Sequence, residues 1–192
     1  QVGGVSLHCT PARHFSGRSI GDWNATLWAG WALVGPEHRV FYSGDTALFP
    51  GFSEIGQRLG PFHVTLIEVG AYDDTWADYH LGPEQAVVAH RALGGGLLIP
   101  AHWGTFNLAL HSWIEPVERL MVATRKQGVE LALPRPGETV DLARPIPQER
   151  WWPVLPWQTG EEHPIVSSGP GPTPWAPEGS GGLRKGNPGG SP

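Results

Sequence analysis

Four side chains with metal-ligating or proton-handling chemistry stand where apolar runs of this 192-residue sequence end. His14 follows a short apolar run, Val5 to Cys9, through Thr10-Pro-Ala-Arg13. Asp45 follows Val40-Phe-Tyr-Ser-Gly44, His102 follows Leu97-Leu-Ile-Pro-Ala101, and His80 precedes a helix opened by Pro83. Neutral imidazole nitrogens plus a carboxylate oxygen are a donor set for zinc. In layered α/β folds, loops at strand ends collect such groups. Spacing alone does not compel this reading, because His14, Asp45 and His102 are 31 and 57 residues apart and share no local metal motif. Each also has a plain structural role open to it. His14 can be a loop histidine beside Arg13, Asp45 with Thr46 a turn residue bonding its own backbone, and His102 a core histidine beside Trp103.

Alternating strands and helices must position these groups. Thr26 to Val34 and Arg39 to Ser43 are rich in strand formers, and the Gly35-Pro-Glu-His38 between them predicts an antiparallel hairpin. Phe52 to Leu59 reads as a short helix closed by Gly60 and Pro61. Val64 to Val69 is a continuous apolar run broken only by Glu68, the pattern of a buried strand. Pro83 opens a second helix, with Glu84 favourable at its positive end and Gly94 as its stop. Leu97 to Ile99 is the next buried strand. Ser112-Trp-Ile-Glu115 has capping-box spacing for a third helix ending near Gln127 and Gly128. Val129 to Leu133 and Thr139 to Leu142 complete the pattern as short strands, and the whole implies an α/β layered fold.

Composition narrows the class. Net charge is −5 from 13 basic and 18 acidic residues, which gives no electrostatic reason to expect nucleic acid or an anionic membrane surface as a partner. The single cysteine, Cys9, excludes a disulfide framework within one chain and reads as a small buried hydrophobe. No apolar run approaches the roughly 20 residues of a membrane span, and no signal peptide is visible, so a cytoplasmic location is the expectation. Of the 20 Pro and 27 Gly, 10 and 9 fall in the last 46 residues. The chain therefore divides into a foldable body, residues 1–144, and a Pro/Gly/Trp-rich tail, residues 145–192. Two roles are open to the tail: a disordered extension whose first aromatics (Trp151, Trp152, Trp157) lie back on the body, or a partner-binding segment that includes Trp175. Trp28 and Trp31 read as core or interface aromatics.

Several blocks together resemble a known family. Thr10-Pro-Ala-Arg-His-Phe-Ser16, Tyr42-Ser-Gly-Asp-Thr46, Gly70-Ala-Tyr72 and Ala101-His-Trp-Gly-Thr-Phe106 occur in the same order in one branch of the metallo-β-lactamase superfamily. That branch contains the N-acylphosphatidylethanolamine-hydrolysing phospholipases D and their bacterial relatives. Gly56-Gln-Arg-Leu-Gly-Pro-Phe62 and Pro83-Glu-Gln-Ala-Val87 also look like family segments, and the resemblance runs from about Leu7 to Leu142. It implies an αββα sandwich with a two-zinc site at one edge. In it His14 matches the third histidine of the first zinc, Asp45 the carboxylate bridging both metals, and His102 the last histidine of the second. His80 matches a histidine near the phosphoryl group, where it would stabilise developing negative charge. Glycines 44 and 104 would let backbone approach the site.

The chain also departs from the family. The His-x-His-x-Asp-His segment, source of four ligands, has no counterpart among the nine histidines. With Gln1 as the first residue, the expectation is the C-terminal part of the sandwich from a longer protein. Two functions follow: a zinc-dependent phosphodiesterase of phospholipase D type acting on N-acylated phospholipid, or on another ester or a lactone, with peripheral membrane contact; or a non-catalytic half domain. An exposed half-core predicts self-association. Glu68 stands where the family has proline and reads as a strand-end residue. Asp73, Asp74 and Asp78 form an acidic stretch before His80 that would repel an anionic head group.

Overall fold

The computed structural model of the chain describes residues 3–169. Six strands form one sheet in sequence order: β1 (Ser6–Pro11), β2 (Ala29–Val34), β3 (Arg39–Tyr42), β4 (Phe62–Glu68), β5 (Gly95–Ala101) and β6 (Glu130–Leu131). The first three run antiparallel, and β3 to β6 run parallel. The hairpin turn is where it was expected, closed by Gly35 N–H donating to the His38 carbonyl at 2.9 Å. Each parallel connection carries a helix: α1 (Gly51–Leu59), α2 (Pro83–Ala92) and α3 (Glu115–Gln127). This is an α/β sheet with a helix layer, and the described residues supply one sheet of the expected sandwich.

Local chemistry explains the helix boundaries. Gly82 N–H, just before Pro83, donates to the Gln85 side chain at 2.9 Å, satisfying a donor that α2 itself cannot. Gly128 closes α3 with φ of 64°, and its N–H reaches back to the Arg125 and Thr124 carbonyls. The start of α3 differs from expectation. Ser112 does not cap it; the preceding residue is Ile114, with no side-chain cap. Glu115 turns inward instead, accepting from the Tyr72 hydroxyl at 2.8 Å and from Gln158 N–H at 2.9 Å. A tertiary partner has won over the local capping box.

Strand alternation splits the apolar side chains between two faces. Ala32, Phe41, Ile67 and Leu98 pack under the helices with Phe52, Val87, Leu93, Val117 and Leu120. Val64 and Leu97 turn to the opposite face, where Val40, Leu66, Ile99 and Ile146 gather with Ala132. Towards β1 that face is open: Leu7, Trp31 and Tyr42 are 47%, 44% and 42% exposed. Cys9, in register with Trp31, is exposed as well and is not the buried hydrophobe expected. Trp28 is likewise largely solvent-facing rather than a core residue.

Among the described residues, none after β6 forms a further strand. Thr139–Leu142 stays irregular, while Val140 and Ile146 pack on the second face. The stretch 145–169 has no helix or strand but is fastened to the body. Trp152 is buried and donates from Nε1 to Glu118 at 2.9 Å, and Arg150 grips the same carboxylate. Trp103, Trp151 and Trp152 form one aromatic cluster. Farther on, Ile165 packs with Tyr72 and Ala77. Over 145–169 the aromatic side chains of the tail therefore lie against the body. Trp175 and the rest of the tail lie outside the described residues.

Candidate metal centre

The C-terminal ends of β3, β4 and β5, with the loop leaving β1, bring the four predicted residues to one place. His14, Asp45, His80 and His102 line one cavity of about 420 Å³, together with Phe15, Ala71, Trp76, Tyr79 and Leu108. His80 and His102 stack with ring centres 5.4 Å apart, and His14 meets His80 edge-on at 5.1 Å. Asp45 Oδ1 lies 3.8 Å from His102 Nε2.

The backbone is held in unusual conformations to achieve this. His102 has φ of 61° and Ala71 has φ of 60°, both in the left-handed region that most side chains avoid. Gly70 lies between these segments, and a Cβ there would sit 2.0 Å from the His102 carbonyl oxygen. Only glycine permits this approach of the β4 and β5 ends. Gly44, with φ of 61°, makes the turn that delivers Asp45.

His14 and His80 have their Nδ1 tied to an acceptor, and His102 Nδ1 only faces one. His14 Nδ1 lies 2.7 Å from the Phe15 carbonyl. A carbonyl only accepts, so Nδ1 carries the proton and Nε2 is left for a ligand. Burial holds the His14 pKa below its ordinary value, which keeps the ring neutral as a metal requires. For His80 the acceptor is Glu68 Oε2 at 2.9 Å. The same oxygen lies 3.4 Å from His102 Nδ1, which is buried and makes no closer hydrogen bond. The Glu68 carboxylate raises the His102 pKa, burial opposes it, and Asp45 adds to the rise.

Glu68 is the site residue that the sequence reading missed. It is the strand-end residue expected, the last of β4, but it is buried and bonded into the site. Its Oε1 accepts from Thr46 N–H at 3.0 Å and from Leu81 N–H at 2.9 Å. One atom from each of Glu68, His80 and His102 lies within 4.8 Å of the others, the tightest donor group among the described residues. The available signal was a lone carboxylate in an otherwise apolar strand, since a buried charge needs partners. His14 and Asp45 stand beside this group rather than in it.

The donor set fits a divalent metal cation, because imidazoles and carboxylates gather at one place. The acidic stretch is less repulsive than expected. Asp73 is folded onto Thr75, and Asp78 pairs with Arg13 at 2.8 Å. Two loops that reach the cavity through Phe15 and Leu108 also carry exposed apolar side chains: Ile20, Trp23 and Leu27 on one, Phe106 and Leu110 on the other. Phe15 in the wall stacks on Trp23. His111 is near but separate, stacked on Tyr72, with Nδ1 on the Ser112 carbonyl.

Comparison with known proteins agrees with this geometry. The Beta-lactamase superfamily domain matches residues 1–103, more than half of the chain. An uncharacterised protein of Mycobacterium tuberculosis is 49% identical over 155 residues, covering 79% of this chain and 41% of that protein. The N-acyl-phosphatidylethanolamine-hydrolyzing phospholipase D 1 of Caenorhabditis elegans is 35% identical over 120 residues, covering 60% of this chain and 34% of that protein. Among solved structures, Igni18, a metallo hydrolase from the archaeon Ignicoccus hospitalis, superposes with a TM-score of 0.57 at 26% identity over 72% of this chain and 53% of that one. The chain therefore spans less than half the length of the curated relatives named here. Its sheet, its helix layer and the matched domain make it a member of the metallo-β-lactamase superfamily.

Proposed function

We propose that this chain carries part of the active site of a zinc-dependent hydrolase whose substrate is an amphiphilic phosphodiester of the N-acylphosphatidylethanolamine type. The observation that carries this reading is the convergence of His14, Asp45, His80 and His102 on one cavity. His14, Asp45 and His102 hold the metal, and two zincs belong to the complete site. When bound, the metal supplies a water activated near neutral pH and a Lewis acid for the scissile group. His80 presents its Nε2 to the phosphoryl oxygens. The Glu68 carboxylate on its other nitrogen compensates the charge that His80 acquires when it holds a proton there. The exposed apolar side chains on the bordering loops suit acyl chains and peripheral contact with a lipid surface. Hydrolysis adds one water across the distal phosphoester bond and releases phosphatidate and an N-acylethanolamine. The name of the nematode relative supports the same substrate class.

A second reading has its own observation. The open apolar sheet face at Leu7, Trp31 and Tyr42 suits a non-catalytic half domain that acts only with further chain. Metal analysis of the purified 192-residue chain separates the two, run alongside His14→Ala and His102→Ala. Zinc retained by the parent and lost from both variants, with zinc-dependent cleavage of N-acylphosphatidylethanolamine in mixed micelles, is the expected result. Absence of retained zinc sinks the catalytic reading for this chain. Cleavage of a lactone or a simple aryl phosphodiester, but not the lipid, sinks the substrate assignment.

A further inference from the structure

One buried carboxylate touches three segments of the site, those carrying Asp45, His80 and His102. Glu68 is 1% exposed and ends β4. Its Oε1 receives the N–H groups of Thr46, next to Asp45, and of Leu81, next to His80. Its Oε2 receives Nδ1 of His80 at 2.9 Å and faces Nδ1 of His102 at 3.4 Å. Three donors thus bond its two oxygens and His102 Nδ1 faces one of them, an arrangement that an acceptor-only carboxylate suits on both oxygens and an amide on one. Ser43, two residues before Asp45, anchors the strand end by accepting from Glu68 N–H at 3.0 Å.

We infer that Glu68 is a positioning residue that fixes His80 and His102 as Nδ1–H tautomers and so reserves both Nε2 atoms for metal and substrate. For its consequence, though not for its geometry, the inference rests on the metal-hydrolase reading. A carboxylate on the far side of a histidine sets the ring's tautomer and orientation and raises its strength as a ligand. Here a single carboxylate does this for two rings. It also fixes, through two backbone N–H groups, the loops that carry Asp45 and His80.

Replacing Glu68 by glutamine tests the assignment with almost no change in shape. The amide oxygen must stay on Thr46 and Leu81, because turning the amide would set its NH2 against both backbone donors. The NH2 then faces Nδ1 of His80 and His102 and requires these nitrogens to accept. Two-bond ¹H–¹⁵N spectra of the metal-free 192-residue chain at mildly alkaline pH read the tautomers directly. Nδ1–H on His80 and His102 in the parent, turning to Nε2–H on His80 in Glu68→Gln, is the expected result. Nε2–H in the parent on either ring, or Nδ1–H kept by His80 in the variant, overturns the assignment. If Glu68→Gln does not fold, the parent spectrum still decides. Where the parent binds zinc, calorimetric titration is expected to show roughly 10- to 100-fold weaker binding in the variant. A chain that binds no zinc but shows the predicted tautomers refutes the hydrolase reading and leaves the role of Glu68 intact.

Discussion

His90 offers a test of the packing beneath the site, because the structure sets both the sign and the size of the effect. It lies on α2, the helix that begins just after His80, and is 2% exposed. Its Nδ1 meets the Thr65 hydroxyl at 2.8 Å, and the ring lies so close to Gly95 that a Cβ there would come within 2.4 Å of Nδ1. Burial, helped by the neighbouring Arg91, lowers its pKa from 6.5 to about 4. The unfolded chain therefore takes up a proton below about pH 6.5 that the folded chain refuses until about pH 4. Stability attributable to His90 is whole above that window and declines as the pH falls through it. The full loss is about 3 kcal/mol, with about 1.4 kcal/mol gone at pH 5.5 and about 2.5 kcal/mol at pH 4.5.

The assay is urea unfolding followed by tryptophan fluorescence for the parent and His90→Asn. Asparagine keeps a polar atom near Thr65 but cannot titrate. Other groups contribute to both profiles, among them His102, whose raised pKa acts with the opposite sign. The difference between the two chains isolates His90. The parent should lose stability relative to the variant as pH falls from about 6.5 to about 4, at no more than about 1.4 kcal/mol per pH unit. Parallel profiles would refute the argument, since the ring would then have found solvent or a partner for its proton.

Two further outcomes follow from close packing. Gly70→Ala should lower stability by about 1–3 kcal/mol and shift the His102 ring resonances, because the new Cβ meets the His102 carbonyl oxygen; unchanged stability and spectra would show that the two strand ends can move apart freely. Trp152→Ala should cost about 3–5 kcal/mol in chemical unfolding, and Trp152→Phe, which keeps an aromatic ring but loses the bond to Glu118, about 1–3 kcal/mol; a Phe variant as stable as the parent would mean that the hydrogen bond contributes nothing.

The parts of the fold legible in the sequence were those whose signals are local. Gly35 to His38 marked the hairpin, Pro83 opened α2, and Gly128 ended α3, because turn geometry and terminal N–H groups are satisfied within a few residues. Where a distant partner decides, the reading failed. Glu115 has the spacing of a capping residue, yet it is claimed by Tyr72 and Gln158, each 43 positions away. Cys9 looked buried because apolar alternation tells which residues share a face, not which face is covered. His14, Asp45, His80 and His102 were legible as candidates from their positions at strand ends and from family likeness. Glu68 was passed over because its neighbours come from Thr46, His80, Leu81 and His102, and no sequence window contains them together.

The segment after β6 has a consequence in time. Ser168 accepts from Arg13 and donates to Asp78, while Ser167 receives Gln85 and donates to Ala77. It thereby clasps the loop bearing His80 to the residue beside His14. The bonds to Asp78 and Ala77 span 90 positions. A ribosome adding about 5–20 residues per second delivers the clasp roughly 5–20 seconds after the loop it holds. The helix layer has its local contacts well before then. During synthesis the scaffold therefore precedes the wall of the cavity, and a nascent chain has its fold before it has its finished pocket.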